Sequence, residues 1–477
     1  MNMIITPLHE VISTVKGKKP KLLKEKNKEY NIPYIDIKAF EKNVFRQYTD
    51  RNDCVRCNDD DILIVWDGAR CGLVGRGVSG AVGSTIAKIN CYDLNKDYVF
   101  YFLQTKYDEI NKKPKGVGIP HVNPNVFWNI PIPVLPLSEQ KRIVKKIEEL
   151  FKELEEGVET LKKMQEQLKQ YKQSILKSAF EGKLTENWRK KNKNKLEPAS
   201  ALLEKIKEER KKKDNKYKEL PPIDTTTLPK LPDGWAWIYF VDIVSPEKYS
   251  IKRGPFGSTI KKSFFVEKGY KVYEQQNAIY NDCKLGKYYI TTEKYNDMKE
   301  FKVLPGDFII SCSGTIGKIM RLPEHTEKGI INQALLKIRI DNRLIIPEYF
   351  QMLFQSDMFQ KRILKDTRGV AITNIASVKE LKVVPTQLPS LSEQQQIVKE
   401  IESRFATADK LEKTIEQSLK QAETLRQSIL KSAFEGKLVP QNPKDPTAEE
   451  LLKKIREEKR RDCHKPIKIG FRNDRKA

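Results

Sequence analysis

No run in this 477-residue sequence approaches the roughly 18 consecutive apolar residues that a membrane-spanning helix requires. The stretch from Met1 to Pro20 likewise has no apolar core of signal-peptide length, so a cytoplasmic protein with no membrane partner is expected. Cysteine is sparse. The seven residues are an odd number, scattered without the density of a disulfide framework, and they read as reduced thiols. Cys54 and Cys57 have zinc-knuckle spacing, but Cys71 and Cys91 form no second close pair and lie among strand-like apolar residues, so no metal is expected there. Also missing is any long acidic segment to offset 89 Lys and Arg against 64 Asp and Glu. The resulting net charge of +25 calls for a polyanionic partner. Nucleic acid fits, because each Lys or Arg set against a phosphate releases condensed counterions. A merely soluble, lysine-rich surface is the alternative on charge alone. A membrane surface fits less well, since the basic residues are not gathered into one amphipathic anchor.

What is present begins with size. Single domains commonly run about 100 to 200 residues, so two or more are expected. A hydrophobic share of 39% supports real cores, while 32% charged residues implies long solvated helices as well.

The chain repeats itself. Gln173-Ser-Ile-Leu-Lys-Ser-Ala-Phe-Glu-Gly-Lys-Leu184 recurs unchanged as Gln427 to Leu438, a shift of 254 residues, and the same shift maps Leu137-Ser-Glu-Gln140 onto Leu391-Ser-Glu-Gln394. The spacing between these strings is therefore conserved within the chain to the residue. A loop would tolerate insertion cheaply; a helix that sets a distance or a packing register would not. Both segments carry one apolar stripe at spacings of mostly three and four. The first comprises Ile143, Ile147, Phe151, Leu154, Val158, Leu161, Leu168, Tyr171, Ile175 and Ala179. The second comprises Ile397, Ile401, Phe405, Ala408, Ile415, Leu419, Ala422, Leu425, Ile429 and Ala433. A narrow stripe needs a partner helix, and the other copy is the natural one. The expected interface uses Ile147, Phe151, Leu154, Val158, Leu161, Leu168 and Ile175 of the first helix with Ile401, Phe405, Ile415, Leu419, Leu425 and Ile429 of the second. Ser138 and Ser392 are placed to cap the helix starts, and Gly182 and Gly436 the ends. Roughly 40 helical residues span about 60 Å, the length of a spacer.

A strand-rich segment precedes each helix. Asp61-Ile-Leu-Ile-Val-Trp-Asp-Gly68 resembles Asp307-Phe-Ile-Ile-Ser-Cys-Ser-Gly314, Gly80 to Ile89 parallels Gly329 to Ile338, and Gly116-Val-Gly-Ile119 corresponds to Gly369-Val-Ala-Ile372. The fold expected is α+β, with two mixed, strand-rich domains separated by two long helices that form an antiparallel coiled coil in a pseudo-twofold repeat. The boundaries read as a first domain over 1–136, the first long helix over 137–184 and a charged linker with a short helix over 185–230. The second domain then covers 231–390, the second long helix 391–438, and a C-terminal helix with a basic tail 439–477. Nearly copied helices and diverged domains are the pattern expected if the helices share one purpose and the domains each recognise something different.

On these motifs the chain resembles the specificity subunit of a type I restriction-modification enzyme over essentially its whole length. The resemblance rests on the paired Leu-Ser-Glu-Gln helix starts, the paired Ser-Ile-Leu-Lys-Ser-Ala-Phe-Glu-Gly-Lys-Leu ends and the Leu231-Pro-Asp-Gly-Trp235 opening of the second domain. Gly254-Pro-Phe-Gly-Ser258 and Gly306-Asp-Phe-Ile-Ile310 add to it. The first domain departs from the pattern, beginning at Pro7-Leu-His-Glu without the Leu-Pro-x-Gly-Trp opening. The resemblance implies two target-recognition domains that read two half-sites of double-stranded DNA across a fixed gap. It also implies two methyltransferase subunits as partners and, in the full restriction complex, two motor-nuclease subunits. S-adenosylmethionine would be bound by those partners and no cofactor by this chain.

Catalytic motifs fail on context. Gly75-Arg-Gly-Val-Ser-Gly80 has the letters of a dinucleotide fingerprint, but the residues after it make a poor helix start. Gly314-Thr-Ile-Gly-Lys-Ile319 is two residues too short for a phosphate loop and lacks its hydroxyl residue. Asn123-Pro-Asn-Val-Phe127 is similar to an adenine-methyltransferase motif, yet sits in a Pro-rich connector with no cofactor-binding loop. A non-catalytic, DNA-binding protein is therefore expected. An enzyme with an unrecognised site, or a coiled-coil tether whose end domains bind protein, are the competing classes. The expected DNA contacts are basic and amide residues in turns: Arg70, Arg76, Lys115 and His121 in the first domain, and Lys252, Arg253, Lys261, Lys262, Lys318, Arg368 and Asn374 in the second. Arg can bond bidentately to guanine, Asn to adenine, and Lys mostly to phosphate.

Overall fold

The computed structural model describes residues 3–50, 54–115, 119–213, 219–256, 259–365 and 374–463. The chain divides into two compact units, Met1–Lys162 with Glu416–Ala477, and Lys163–Ile415. Each unit holds one strand-rich domain and the adjoining stretches of both long helices. These helices, Leu137–Phe180 and Leu391–Phe434, are each 44 residues long.

In the first unit a four-stranded antiparallel sheet runs in the order Ile12–Lys16, Ile86–Cys91, Ile62–Val65, Val74–Gly75. Its strand Ile62–Val65 is an unbroken Ile-Leu-Ile-Val run, buried at every position, as a strand covered on both faces requires. A second sheet sets Ile32–Ile35 parallel to Gly80–Val82, with Tyr34 beside Ala81. The ribbon of Ile4–Pro7 with Pro131–Val134 joins the two ends of the domain just ahead of the long helix.

The second unit repeats this plan, with one more strand in its second sheet. Ile251–Arg253, Leu335–Ile338, Phe308–Ser311 and Ile319–Arg321 form its four-stranded sheet. Tyr270–Tyr273 lies parallel to Gly329–Ile331, and Ala236–Tyr239 pairs with Pro385–Leu388. Even capping details recur. The helices Ile37–Lys42 and Gln275–Tyr280 each end on a left-handed asparagine, Asn43 at φ 54° and Asn281 at φ 52°.

The two long helices enter the domain cores at their ends. Ile143, Ile147 and Phe151 join the core of the first unit together with Ile429, Leu430 and Ala433. Ile175, Leu176, Ala179 and Phe180 join that of the second with Ile397, Val398 and Ile401. The helices run antiparallel within each unit. In the first, the Arg426 guanidinium stacks 3.9 Å from the centre of the Phe151 ring and reaches Glu155 at 3.3 Å. In the second, Lys172 bridges Asp409 at 2.7 Å and Glu412 at 2.5 Å. Ile415 is buried, whereas Leu154, Val158, Leu161, Leu168, Phe405 and Leu419 are half-buried, as expected where only two helices cover each other. Leu425 departs from the expected seam and is 51% exposed. It shares a groove with Gly157, which has no side chain to cover it. Tyr171 is exposed as well.

The helix starts also correct the expectation. The helices begin at Leu137 and Leu391, so Ser138 and Ser392 lie one residue inside; in the second copy the capping oxygen is Ser390 Oγ, which accepts from Glu393 N–H at 3.3 Å. The glutamines of the two Leu-Ser-Glu-Gln strings then hook each helix to its domain. Gln140 donates to Leu135 O and accepts from Asn95 N–H; Gln394 donates to Leu344 O and accepts from Ile346 N–H. At the far ends Gly182 and Gly436 both adopt φ +72° and close the helices. The 6→1 bond of a Schellman motif accompanies each, from Lys183 N–H to Ser178 O and from Lys437 N–H to Ser432 O. The linker helix is Ala199–Lys213 and the C-terminal one Ala448–Cys463; Leu203 and Ile206 pack into the second unit's core, Leu452 and Ile455 into the first's.

Candidate nucleic-acid interface

In the first domain three sequence-distant polar residues converge on one turn. Lys16, at the end of its strand, reaches Asp67 Oδ2 at 2.7 Å, and His121 Nδ1 lies 2.7 Å from Asp67 Oδ1. Burial would raise the Asp67 pKa, yet the hydrogen bonds from Lys16 and His121 outweigh it and hold the carboxyl below its usual range. His121 and Lys115 exchange backbone hydrogen bonds at 3.0 Å, and Gly68 N–H donates to Pro120 O, which holds the His121 segment against the Asp67 turn. Gly68 has φ +112°, a conformation that suits glycine. Arg70 is largely exposed and lies 3.2 Å from Glu41. Lys115 makes no ion pair among the described residues. Arg76 is different: it pairs with Asp97, approaches Glu148 at 3.6 Å and stacks 4.7 Å from the Phe100 ring centre. Its charge is engaged inside the unit.

In the second domain Lys252 pairs with Glu300 and lies 5.4 Å from the Phe301 ring centre, so its charge is partly committed. Arg253, next along the strand, stands 5.8 Å from the ring centre of Phe256. Lys261 and Lys262 open a short 3₁₀ turn, Lys262–Phe264, and are exposed. Lys318 follows the glycine turn Gly314–Gly317; its N–H donates to Ser311 Oγ at 3.0 Å while its side chain is exposed. Lys261, Lys262 and Lys318 make no ion pair among the described residues. Lys365 and Asn374 pair antiparallel, and the correspondence of Gly116–Ile119 with Gly369–Ile372 puts Asn374 at the position of His121 and Arg368 at that of Lys115. Arg368 lies outside the described residues, and only the backbone of Asn374 is placed.

Sequence reasoning missed Lys16, because a lysine at a strand end carries no motif; only the pairing register brings it to Asp67. It also missed the equivalence of Ile37 and Gln275. Each follows the N-cap residue of its domain's short helix and lies beside the corresponding turn glycine, Gly68 or Gly314. The same turn is thus lined by an alkyl group in one domain and an amide in the other.

The rejected catalytic motifs fall in structural turns. Gly75–Gly80 joins two strands with no helix after it, and Gly314–Ile319 does the same. Asn123 caps the four-residue helix Pro124–Phe127. Among the described residues no group of three or more His, Cys, Asp or Glu is arranged to hold a metal. Burial pushes the Cys57 thiol up to about 11 and Cys91 up to about 12, which disfavours the thiolate a metal would need. No helix among the described residues is long and apolar enough to cross a membrane.

Comparison with known proteins bears on this arrangement. A family model described as type I restriction modification DNA specificity domain matches residues 4–163 and again 255–421. The EcoBI specificity subunit of Escherichia coli is 24% identical over 413 residues, covering 84% of this chain and 80% of that protein. The MjaVIII specificity subunit of Methanocaldococcus jannaschii is 24% identical over 447 residues, covering 92% and 93%. Among solved structures, a chain from work on complex assembly and conformational transition of the type I R-M system superposes with a TM-score of 0.61 at 17% identity, covering 91% of this chain and 98% of that one. That likeness speaks for the fold.

Proposed function

The chain belongs to the family of type I restriction-modification DNA specificity subunits, and from that premise we propose that it reads an asymmetric, bipartite duplex target with its two domains. It is the component that recognises DNA sequence, and not the catalytic part of such a system. The observation that carries the bipartite reading is the duplication of one domain plan whose equivalent loops bear different side chains. Lys16, Asp67 and His121 line the turn in the first domain. Arg253, Gln275 and Lys318 stand near the corresponding turn in the second. Two copies of one scaffold with unlike loops suit two unlike half-sites.

The paired helices serve as the spacer. Half-sites about one helical turn apart, roughly 34 Å, present their major grooves on the same face of the duplex, and a rod of 44-residue helices has the reach to hold two readers in phase. Two methyltransferase subunits bind this chain, and two motor-nuclease subunits join in the full restriction complex. The duplicated helices offer two similar outer faces for such a pair of partners. S-adenosylmethionine is held by the methyltransferase subunits, and the assembly works in the cytoplasm.

The test is selection of bound duplexes from a random pool, using the full chain co-expressed with candidate methyltransferase subunits. Two different short motifs at one fixed gap are expected. Salt-sensitive binding with no enriched motif would reduce the basic charge to non-specific affinity and favour a coiled-coil tether with protein-binding ends.

A further inference from the structure

His121 and Asp67 oppose each other across an antiparallel bridge, between two backbone hydrogen bonds. Gly68 N–H donates to Pro120 O at 2.7 Å on one side of the pair, and Val122 N–H to Trp66 O at 2.8 Å on the other. In that register the opposed side chains stand close together on one face. The backbone thus sets the imidazole beside the carboxylate. Nδ1 lies 2.7 Å from Asp67 Oδ1, while Lys16 Nζ holds Oδ2 at 2.7 Å.

This contact decides the tautomer. Burial raises the Asp67 pKa, but the hydrogen bonds from Lys16 and His121 outweigh it, and the group is ionised at neutral pH. An ionised carboxylate only accepts, so the shared proton belongs to His121 Nδ1. The neutral imidazole then carries its lone pair on Nε2. That atom has no hydrogen-bond partner among the described residues, and the His121 side chain is 46% exposed where that of Asp67 is 15%. The turn therefore presents one aimed acceptor, held from below by a group that is itself mostly covered.

The second domain keeps the scaffold and changes all three side chains. Thr14 faces Ile89 as Ile251 faces Ile338, so Arg253 stands where Lys16 does. Ser313 takes the place of Asp67 in the paired strings that end at Gly68 and Gly314, and Asn374 takes that of His121. None of the six residues lies in the strings on which the family resemblance rests. A brace common to the fold would repeat in both copies, whereas groups that read unlike half-sites differ.

We propose that His121 is a specificity-determining residue of the first domain, its Nε2 accepting from the exocyclic amine of adenine or cytosine in the major groove, with Asp67 as the positioning residue that fixes its tautomer. This rests on the DNA-reading function proposed above. Adenine N6 and cytosine N4 are the amine donors of that groove; guanine O6 and thymine O4 would set a lone pair against a lone pair.

The experiment compares wild type, His121→Ala and Asp67→Asn, each as the full chain co-expressed with the methyltransferase subunits, by duplex selection and by titration on the selected target and on random duplex. Wild type should require adenine or cytosine at one position of one half-site. Purine in place of that adenine, or pyrimidin-2-one in place of that cytosine, removes only the amine and should weaken binding about tenfold. His121→Ala should lose the preference at that position, weaken target binding by a similar factor and leave random duplex unchanged. Asp67→Asn should invert it. Lys16 keeps the amide oxygen, so the amide N–H faces Nδ1 and the imidazole proton moves to Nε2, which then donates to guanine or thymine. A merely loosened turn cannot produce that inversion. The motif of the other half-site should be the same in all three, which shows that each chain is folded. The proposal is overturned if His121→Ala selects the wild-type motif, if it weakens target and random duplex equally, or if Asp67→Asn leaves the preference as it was or only blurs it. A wild-type chain that enriches no motif would sink the DNA-reading function itself, a result distinct from any of these.

Discussion

The Trp235 indole N–H donates to the Glu393 carboxylate at 2.9 Å, tying the opening of the second domain to the start of the second long helix across 158 residues of sequence. Thr185 Oγ1 donates to the same carboxylate at 2.8 Å and Arg189 Nε at 2.9 Å. A buried acid with three donors is well satisfied. Removing one leaves a buried acceptor short of a partner at a cost of about 1 to 3 kcal/mol. Trp235→Phe, which keeps an aromatic ring but deletes the N–H donor and part of the buried indole, should lower unfolding stability by at least that amount in a denaturant titration.

Glu139 holds the same place in the other copy without the same company. The 254-residue shift puts Val439 where Thr185 stands and Pro443 where Arg189 stands, and neither side chain can donate. Glu139 is 1% exposed, and its Oε1 has no hydrogen-bond partner among the described residues. Burial raises its pKa, with Arg142 opposing in part. A carboxyl whose folded pKa is raised favours folding fully only below its unfolded value; that advantage is lost as pH rises through the folded value. Glu139→Gln should therefore gain stability relative to wild type at pH 7, and the gain should fade as pH falls through the raised folded value and be gone below the ordinary value of 4.5. Paired denaturant midpoints across that range measure it.

Asp341 titrates with the opposite sign. Burial alone would raise its pKa, but hydrogen bonds from Arg343 at 2.7 Å and Arg210 at 2.9 Å outweigh it and bring the group down to about 2. Its contribution is present above the ordinary value of 3.8 and is lost as pH falls through about 2. A shift of that size corresponds to about 2 kcal/mol. The margin of wild type over Asp341→Asn should shrink by about that much between pH 5 and pH 2.

Arg76 and Lys262 separate structural from DNA-facing charge. Arg76 is engaged by Asp97 and Glu148 and stacked on Phe100, so Arg76→Ala should lower thermal stability while the salt dependence of duplex binding stays as it was. Lys262 is exposed with no ion pair among the described residues, so Lys262→Ala should leave stability alone and reduce the salt slope by about one, whatever the duplex sequence. A salt slope lowered by Arg76→Ala would show that its internal partners release it on DNA.

The repeat was legible because Gln173–Leu184 and Gln427–Leu438 are letter-identical and the apolar stripe between the copied strings has helical period. Ile62–Val65 and Phe308–Ser311 were legible as strands because their runs are short, apolar and bounded by Asp and Gly. Details that depend on one residue of register were not. Ser392 looked like the cap, but the helix begins at Leu391 and the capping oxygen belongs to Ser390. Partners distant in sequence were also hidden: no spacing rule joins Lys16 to Asp67, Arg76 to Glu148, or Trp235 to Glu393.

The central claim is that paired helices set the distance between two different readers, and matched deletion tests it most directly. Removing seven residues from each long helix at opposed positions shortens the rod by about 10 Å, close to three base pairs. Duplex selection with that chain should return the same two half-site motifs with a gap shorter by about three base pairs. The same motifs at an unchanged gap would contradict the account.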